Sequence, residues 1–130
     1  MLPTFDIPPI GPKQGKVWGA TQLAFAYNGT EAHVIWVKAG GFCSRHSHRI
    51  KWNRFIVLSG SLTVRSFLSP DTDFGDADCI VLSAGQITDV PPGTIHEFQA
   101  TENTVAVEVY WAELDPQDID RITAGGIKND

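Results

Sequence analysis

Short runs of alternating apolar and polar residues, separated by turn-forming residues, follow one another along most of the chain. Residues 21–27 and 31–38 form two such runs, and Asn28-Gly29 between them is typical of a two-residue β-hairpin turn. The same pattern predicts further strands at residues 42–48, 52–58, 61–68, 78–82, 86–90, 95–101 and 104–112. Many short strands with regular glycine, proline and asparagine punctuation predict an all-β sandwich or jelly-roll barrel.

The two ends of the chain depart from this pattern. Residues 1–15 contain four prolines and two glycines, which predicts an extended arm lying on the barrel or on a neighbouring subunit. Asp115 and Pro116 suit the N-cap and first position of a short helix that ends near Ile122. With no repeat or second apolar unit, we expect an arm over residues 1–15 and one barrel domain over residues 16–130.

Composition narrows the functional classes. The 130 residues are 42% hydrophobic and carry a net charge of −5 without a basic cluster, so nucleic acid is not an expected partner. The first residues lack the pattern of a secretory signal, and no apolar run approaches the roughly 20 residues of a membrane helix. Cys43 and Cys79 are too few for a disulfide scaffold. We therefore expect free thiols and a cytoplasmic protein that does not bind membranes.

Three histidines are spaced as the ligands of one metal ion would be. They lie in two motifs, Gly40-x5-His46-x-His48-x4-Asn53-x6-Gly60 and Gly85-x5-Pro91-x-Gly93-x2-His96. His46 and His48 are two residues apart, so on a strand they project from the same face. His96 follows a proline-glycine turn and would complete a three-nitrogen face with open positions for water or substrate.

Two residues near these motifs are not expected to bind the metal. Cys43 lies three residues before His46, but on a regular strand it would face the opposite side. His33 lies in an apolar run with no partner motif, which favours a surface or core-edge position.

The two motifs together resemble the two-part signature of the cupin superfamily, which implies a double-stranded β-helix. Four segments are also similar to the cupin domain of type II phosphomannose isomerases and related small sugar-isomerase-like cupins. These segments are Val17-Trp18-Gly19, residues 43–57, residues 90–96, and Glu108-Val109-Tyr110 with Asp118-Ile119-Asp120-Arg121. The resemblance covers nearly all of the chain after residue 15.

The resemblance implies a ligand set with two exchanges. In that family the metal is held by Gln, His, Glu and His; here His46 stands in the Gln position, His48 and His96 are kept, and Asn53 stands in the Glu position. Asn53 offers only a neutral oxygen. It either binds the metal weakly or lies behind the ligands without touching the metal. We expect one divalent transition-metal ion, with Zn, Fe, Ni, Mn and Cu left open.

Three charged residues are candidates for the chemistry beside the metal. If Asn53 faces inward, Lys51 does too, and it either binds a phosphate or carboxylate or extends its ammonium to water at the barrel mouth. Glu108 interrupts an apolar run and is either a catalytic general base or a solvent-facing residue. Arg121 matches the family's closing arginine, which implies substrate binding; the alternative is a cation at the end of a helix.

Three functions fit these features. The first is a metal-dependent isomerase or epimerase acting on a sugar or sugar phosphate. The second is a three-histidine Fe(II) dioxygenase acting on a small molecule, and the third is a non-catalytic sugar- or metal-binding module. Fold does not decide among them. We also expect a homodimer, formed through open sheet edges or the N-terminal arm, which sedimentation would test.

Overall fold

The strands of the chain build a two-sheet barrel. The computed structural model describes residues 2–4, 12–69, 71, 77–112 and 124. Within these ranges no helix is long and apolar enough to cross a membrane. The strands are β1 (Gln14–Lys16), β2 (Gly19–Tyr27), β3 (Thr30–Val37), β4 (Lys51–Ser59), β5 (Ser61–Phe67), β6 (Asp78–Ser83), β7 (Ile87–Val90), β8 (Ile95–Ala100) and β9 (Thr104–Ala112).

Strands β2 to β9 confirm the predicted runs, with ends that differ by no more than two residues. The hairpin between β2 and β3 turns at Asn28 and Gly29, whose φ angles of 48° and 77° are those of the predicted turn. Strand β1 was not predicted and begins inside the expected arm. The predicted C-terminal helix lies outside the described residues.

The two sheets face each other across the core. One has six strands in the order β1-β2-β3-β9-β4-β7, and the other has three in the order β6-β5-β8. The buried residues between them come from both sheets and include Ile35, Val37, Phe55, Val57, Leu62, Val64, Phe98 and Ala106. This arrangement confirms the predicted all-β jelly roll.

Strand pairing places several polar residues on the inner face of the larger sheet. Across β4 and β9, Asn53 pairs with Tyr110 and Phe55 pairs with Glu108; across β3 and β9, Glu108 pairs with His33. Directly paired residues point to the same side of a sheet, so these side chains share the side occupied by Phe55, which is fully buried. One end of the barrel interior is therefore polar.

Residues 42–48, which we call the ligand segment, do not form the predicted regular strand, and that prediction was wrong. They pair with β8 through two isolated bridges, Phe42 with Gln99 and His46 with His96. The step between the bridges is four residues on the ligand segment and three on β8, which is a β-bulge. At the bulge, the Phe98 N–H donates to Cys43 Sγ at 3.2 Å.

The bulge changes which way the side chains of the ligand segment point. One extra residue reverses the alternation, so Cys43 and His46 both reach the interior although their numbers have opposite parity. Cys43 is buried, and both residues line the same cavity. The prediction that Cys43 faces away from the histidines was therefore wrong.

Candidate metal centre

The three predicted ligands lie together at the polar end of the barrel. One potential ligand atom from each of His46, His48 and His96 falls within 4.8 Å of the others. Their ring centroids are separated by 4.5 Å for His46 and His96, 5.0 Å for His46 and His48, and 5.5 Å for His48 and His96. The structure therefore brings together residues that lie up to fifty positions apart in the sequence.

Backbone hydrogen bonds hold the two motifs against each other. The His46 N–H donates to the His96 carbonyl at 3.1 Å, and the His96 N–H donates to the His46 carbonyl at 2.8 Å. The Gly93 N–H donates to the His48 carbonyl at 2.7 Å. Gly93 has a φ of 81°, which only glycine adopts without strain. The proline-glycine turn before His96 therefore also fixes the position of His48.

Hydrogen bonds to backbone carbonyls set the tautomers of two rings. His46 Nδ1 lies 2.6 Å from the Ser44 carbonyl oxygen, and His96 Nδ1 lies 2.9 Å from that of Thr94. A carbonyl only accepts, so each Nδ1 carries the hydrogen and each neutral ring keeps a lone pair on Nε2. This is the usual arrangement around a metal-bound histidine.

The Nε2 atoms lack the partners that buried polar atoms normally have. His48 Nε2, His96 Nε2 and Asn53 Oδ1 are buried without a hydrogen-bond partner among the described residues. Leaving buried polar atoms unpaired is costly, and a divalent cation would satisfy imidazole nitrogens that carry a lone pair. The residues therefore fit a metal ion held by the three imidazoles.

Burial favours the neutral, metal-binding form of His48 and His96 by lowering the pKa of each. Burial lowers the pKa of His96 to about 4, with smaller contributions from His46 and His48. The pKa of His48 is also lowered, first by burial and then by the charges of His46 and Lys51. Burial raises the pKa of the Cys43 thiol to about 12, and Cys43 is not part of the three-histidine group.

The lowered pKa of His96 predicts acid sensitivity of the metal-free protein. Between pH 6.5 and about pH 4 the unfolded chain protonates this imidazole and the folded chain does not. The free energy of unfolding should therefore fall as pH drops through this window, by at most about 3 kcal/mol from this group. Urea denaturation of metal-free protein at pH 7 and pH 4.5 would measure the loss.

The matched control for this effect is His96→Gln, which has no imidazole to titrate. The difference in unfolding free energy between the two pH values should be smaller in this variant than in the wild type. Equal differences in the two proteins would show that His96 does not contribute.

A buried carboxylate lies directly behind Asn53. Asn53 Nδ2 donates to Glu108 Oε2 at 3.3 Å, and the Tyr110 hydroxyl donates to Glu108 Oε1 at 2.7 Å. Because the amide nitrogen faces the carboxylate, the amide oxygen must point away from it. Glu108 is 9% exposed, so it is not a solvent-facing residue; its role as a general base stays a prediction.

A cavity of about 440 Å³ opens beside the histidines. Its lining includes His46, Glu108 and Tyr110. His33 lines it too, and its ring packs edge-on against Tyr110 at 5.7 Å. Sequence reasoning missed both His33 and Tyr110 as site residues. The signal for His33 was its even spacing from Ile35 and Val37, which face the core.

Of the two predicted substrate-binding cations, Lys51 does not line this cavity. Lys51 is exposed and lines a neighbouring cavity of about 540 Å³, with its ammonium 5.1 Å from the centre of the Tyr110 ring. It therefore extends to water at the barrel mouth, which was one of its two predicted placements. Arg121 lies outside the described residues.

Solved structures with the same fold include several cupins. KdgF from Halomonas sp. aligns with a TM-score of 0.69 and 16% identity over 88% of this chain and 97% of its own. An RmlC-like cupin from Shewanella frigidimarina aligns with a TM-score of 0.67 and 19% identity, covering 90% and 96% of the two chains. The capsular polysaccharide assembling protein CapF from Staphylococcus aureus has a TM-score of 0.67 and 19% identity over 82% of this chain and 30% of CapF.

These likenesses establish the cupin fold for this chain, as its two motifs predicted. No family model matches the sequence, and no curated protein matches it either.

Proposed function

We propose that this protein is a metal-dependent isomerase or epimerase that acts on a small sugar-like carbonyl compound. The observation that supports this most directly is Glu108, the one carboxylate among the described residues lining the cavity beside His46. A base next to a metal is what proton transfer between neighbouring carbons requires. The similarity to sugar-isomerase-like cupins points to the same class.

A divalent ion held by His46, His48 and His96 would supply a Lewis acid that polarises the substrate carbonyl. Glu108 takes the proton from the carbon next to that carbonyl and returns it to the neighbouring carbon. The Tyr110 hydroxyl, already bonded to Glu108 Oε1, keeps the carboxylate oriented through both transfers. The reaction moves protons only, so it needs no oxidant or reductant.

A nuclear magnetic resonance experiment in deuterated water tests this proposal. Metal-loaded protein is incubated with a panel of aldoses, ketoses and their phosphates, and exchange of the proton next to the carbonyl is followed together with interconversion. We expect exchange with at least one substrate. Glu108→Gln should slow it by about 100-fold or more, because it removes the general base while keeping the metal ligands.

Tyr110→Phe is the matched control because it removes one hydroxyl and leaves the carboxylate in place. Its rate should fall by less than that of Glu108→Gln. A Glu108→Gln protein that exchanges as fast as the wild type would show that another group is the base. Binding of a sugar without any exchange would favour the non-catalytic module.

One observation favours an oxygenase as the second candidate. Asn53 takes the place of the family's carboxylate ligand, and a neutral three-histidine face leaves an iron ion with open positions for dioxygen and substrate. Running the same panel under air and under nitrogen separates the two. Turnover only in air, with consumption of dioxygen, would replace the isomerase proposal.

A further inference from the structure

One wall of the cavity is built by β1, the short strand at the edge of the larger sheet. Gln14 pairs with Thr21 and Lys16 pairs with Gly19 in the first half of β2, whereas His33 pairs with Leu23 at the middle of β2. Gln14 and Lys16 both line the cavity that contains His46 and Glu108. The unpredicted strand is therefore part of the site.

The charges around the cavity are unevenly distributed. Among its described lining residues, Lys16 is the only lysine or arginine and Glu108 the only carboxylate. Lys16 has no ion-pair partner among the described residues. Three neutral imidazoles leave the charge of a divalent ion uncompensated, so Glu108 alone cannot neutralise the ion and Lys16 together. With a divalent ion bound, the cavity would therefore carry an excess of positive charge.

Lys16 is separated from Glu108 along the cavity. Lys16 is aligned with Gly19, and the row of His33 and Glu108 is aligned with Leu23, four residues further along β2. That offset is roughly 13 Å at 3.3 Å per residue. Trp18, Phe98 and Leu23 give the wall an apolar portion. An extended ligand with an anionic end would fit a cavity that has Lys16, an apolar wall and Glu108 along its length.

We propose that Lys16 determines substrate specificity by binding an anionic group, a carboxylate or phosphate, at the end of the substrate far from the metal. This inference rests on the proposed function and assigns its substrate to the anionic sugar derivatives rather than to neutral sugars. It also moves the anion site from Lys51, which lines a different cavity, to the strand β1.

Simple dicarboxylates test this assignment without stereochemical complications. Co²⁺-loaded protein is titrated with adipate and suberate, and with hexanoate and octanoate as monocarboxylates of the same lengths. Calorimetry and the visible spectrum of the cobalt ion report binding. The wild type should prefer at least one dicarboxylate over its monocarboxylate by about three- to tenfold, as expected for one partly exposed ion pair. The preference should shrink as salt is added.

Three lysine variants identify the group responsible. Lys16→Met should lose the preference and Lys16→Arg should keep it. Lys13→Met is the matched control, because Lys13 lies three residues away with its ammonium 4.1 Å from the centre of the Trp36 ring. Lys51→Met tests the neighbouring cavity. Both of these should bind like the wild type, and all variants should keep the circular dichroism spectrum of the wild type.

The outcomes distinguish the role of Lys16 in binding an anion from the proposed isomerase function. Cobalt bound at the histidines with no dicarboxylate preference, or a preference that survives Lys16→Met, overturns the role of Lys16 alone. A preference lost in Lys51→Met instead places the anion in the neighbouring cavity and also overturns it. Failure of the wild type to bind cobalt overturns the proposed function and this inference together.

Discussion

The double substitution His46→Ala and His48→Ala should reduce bound divalent metal from about one ion per chain to almost none. Each change removes an imidazole whose ring lies within 5.5 Å of that of His96, and one histidine is a poor site by itself. We expect affinity to fall by more than about 100-fold, since even residues behind the ligands commonly contribute 10- to 100-fold. Metal analysis after dialysis would measure the loss.

The same cavity provides a control for this experiment. His33→Ala also removes a histidine, but its Nε2 is 3.1 Å from the Glu31 carboxylate and it is not part of the three-histidine group. This variant should keep its metal, and Asn53→Ala should lose much less than the double variant because a neutral oxygen is a weaker ligand. The barrel should stay folded throughout. Stoichiometric metal in the double variant would exclude these ligands.

The ligands could be predicted from the sequence because both motifs combine histidines with the glycines and prolines that shape the backbone around them. Gly93 illustrates this, since its N–H binds the His48 carbonyl and its φ of 81° favours glycine. The strands were predictable because alternation is a local property of the chain. What these features share is that neighbouring residues determine them.

Features that depend on distant partners could not be predicted. Strand β1 has three exposed residues and no apolar alternation, and it exists because the edge of β2 accepts it. The bulge in the ligand segment arises from pairing with β8, where Cys43 Sγ takes the place of a carbonyl. Tyr110 becomes a site residue only when β9 pairs with β4 and brings it opposite Asn53. The spacing of residues within one segment does not predict which strand that segment pairs with.

Gly60→Ala should be among the most destabilising single changes in the chain, costing about 2–5 kcal/mol of unfolding free energy. Gly60 has a φ of 87°, where an alanine costs about 1–2 kcal/mol. An added Cβ would also lie 2.5 Å from the Asn103 carbonyl oxygen and 2.5 Å from Thr104 Oγ1. Overpacking of this kind adds about 1–3 kcal/mol.

The neighbouring groups cannot easily give way. Thr104 Oγ1 accepts a hydrogen bond from the Ser61 N–H and donates to the Ser61 carbonyl, both at 3.0 Å, and Thr104 is 2% exposed. Moving it would break the turn that joins β4 to β5. The clash should therefore lower the free energy of unfolding rather than be relieved by a small shift.

Gly85→Ala separates the two causes, because Gly85 has nearly the same φ of 85° but nothing within 4 Å of an added Cβ. It should cost only the backbone part, about 1–2 kcal/mol. Urea denaturation of both variants and the wild type would give the difference. Equal losses in the two variants would show that Asn103 and Thr104 adapt to the extra methyl group.

The bulge between Phe42 and His46 makes the length of the ligand segment as important as its composition. Deleting one residue there would restore regular alternation and turn the side chains on one side of the deletion outward, whichever residue was removed. Adding or removing two residues would preserve the phase. If residues 42–48 were inserted into a regular strand of another barrel, Cys43 and His46 would therefore point to opposite faces. Both would face the interior only if the host strand also formed the bulge.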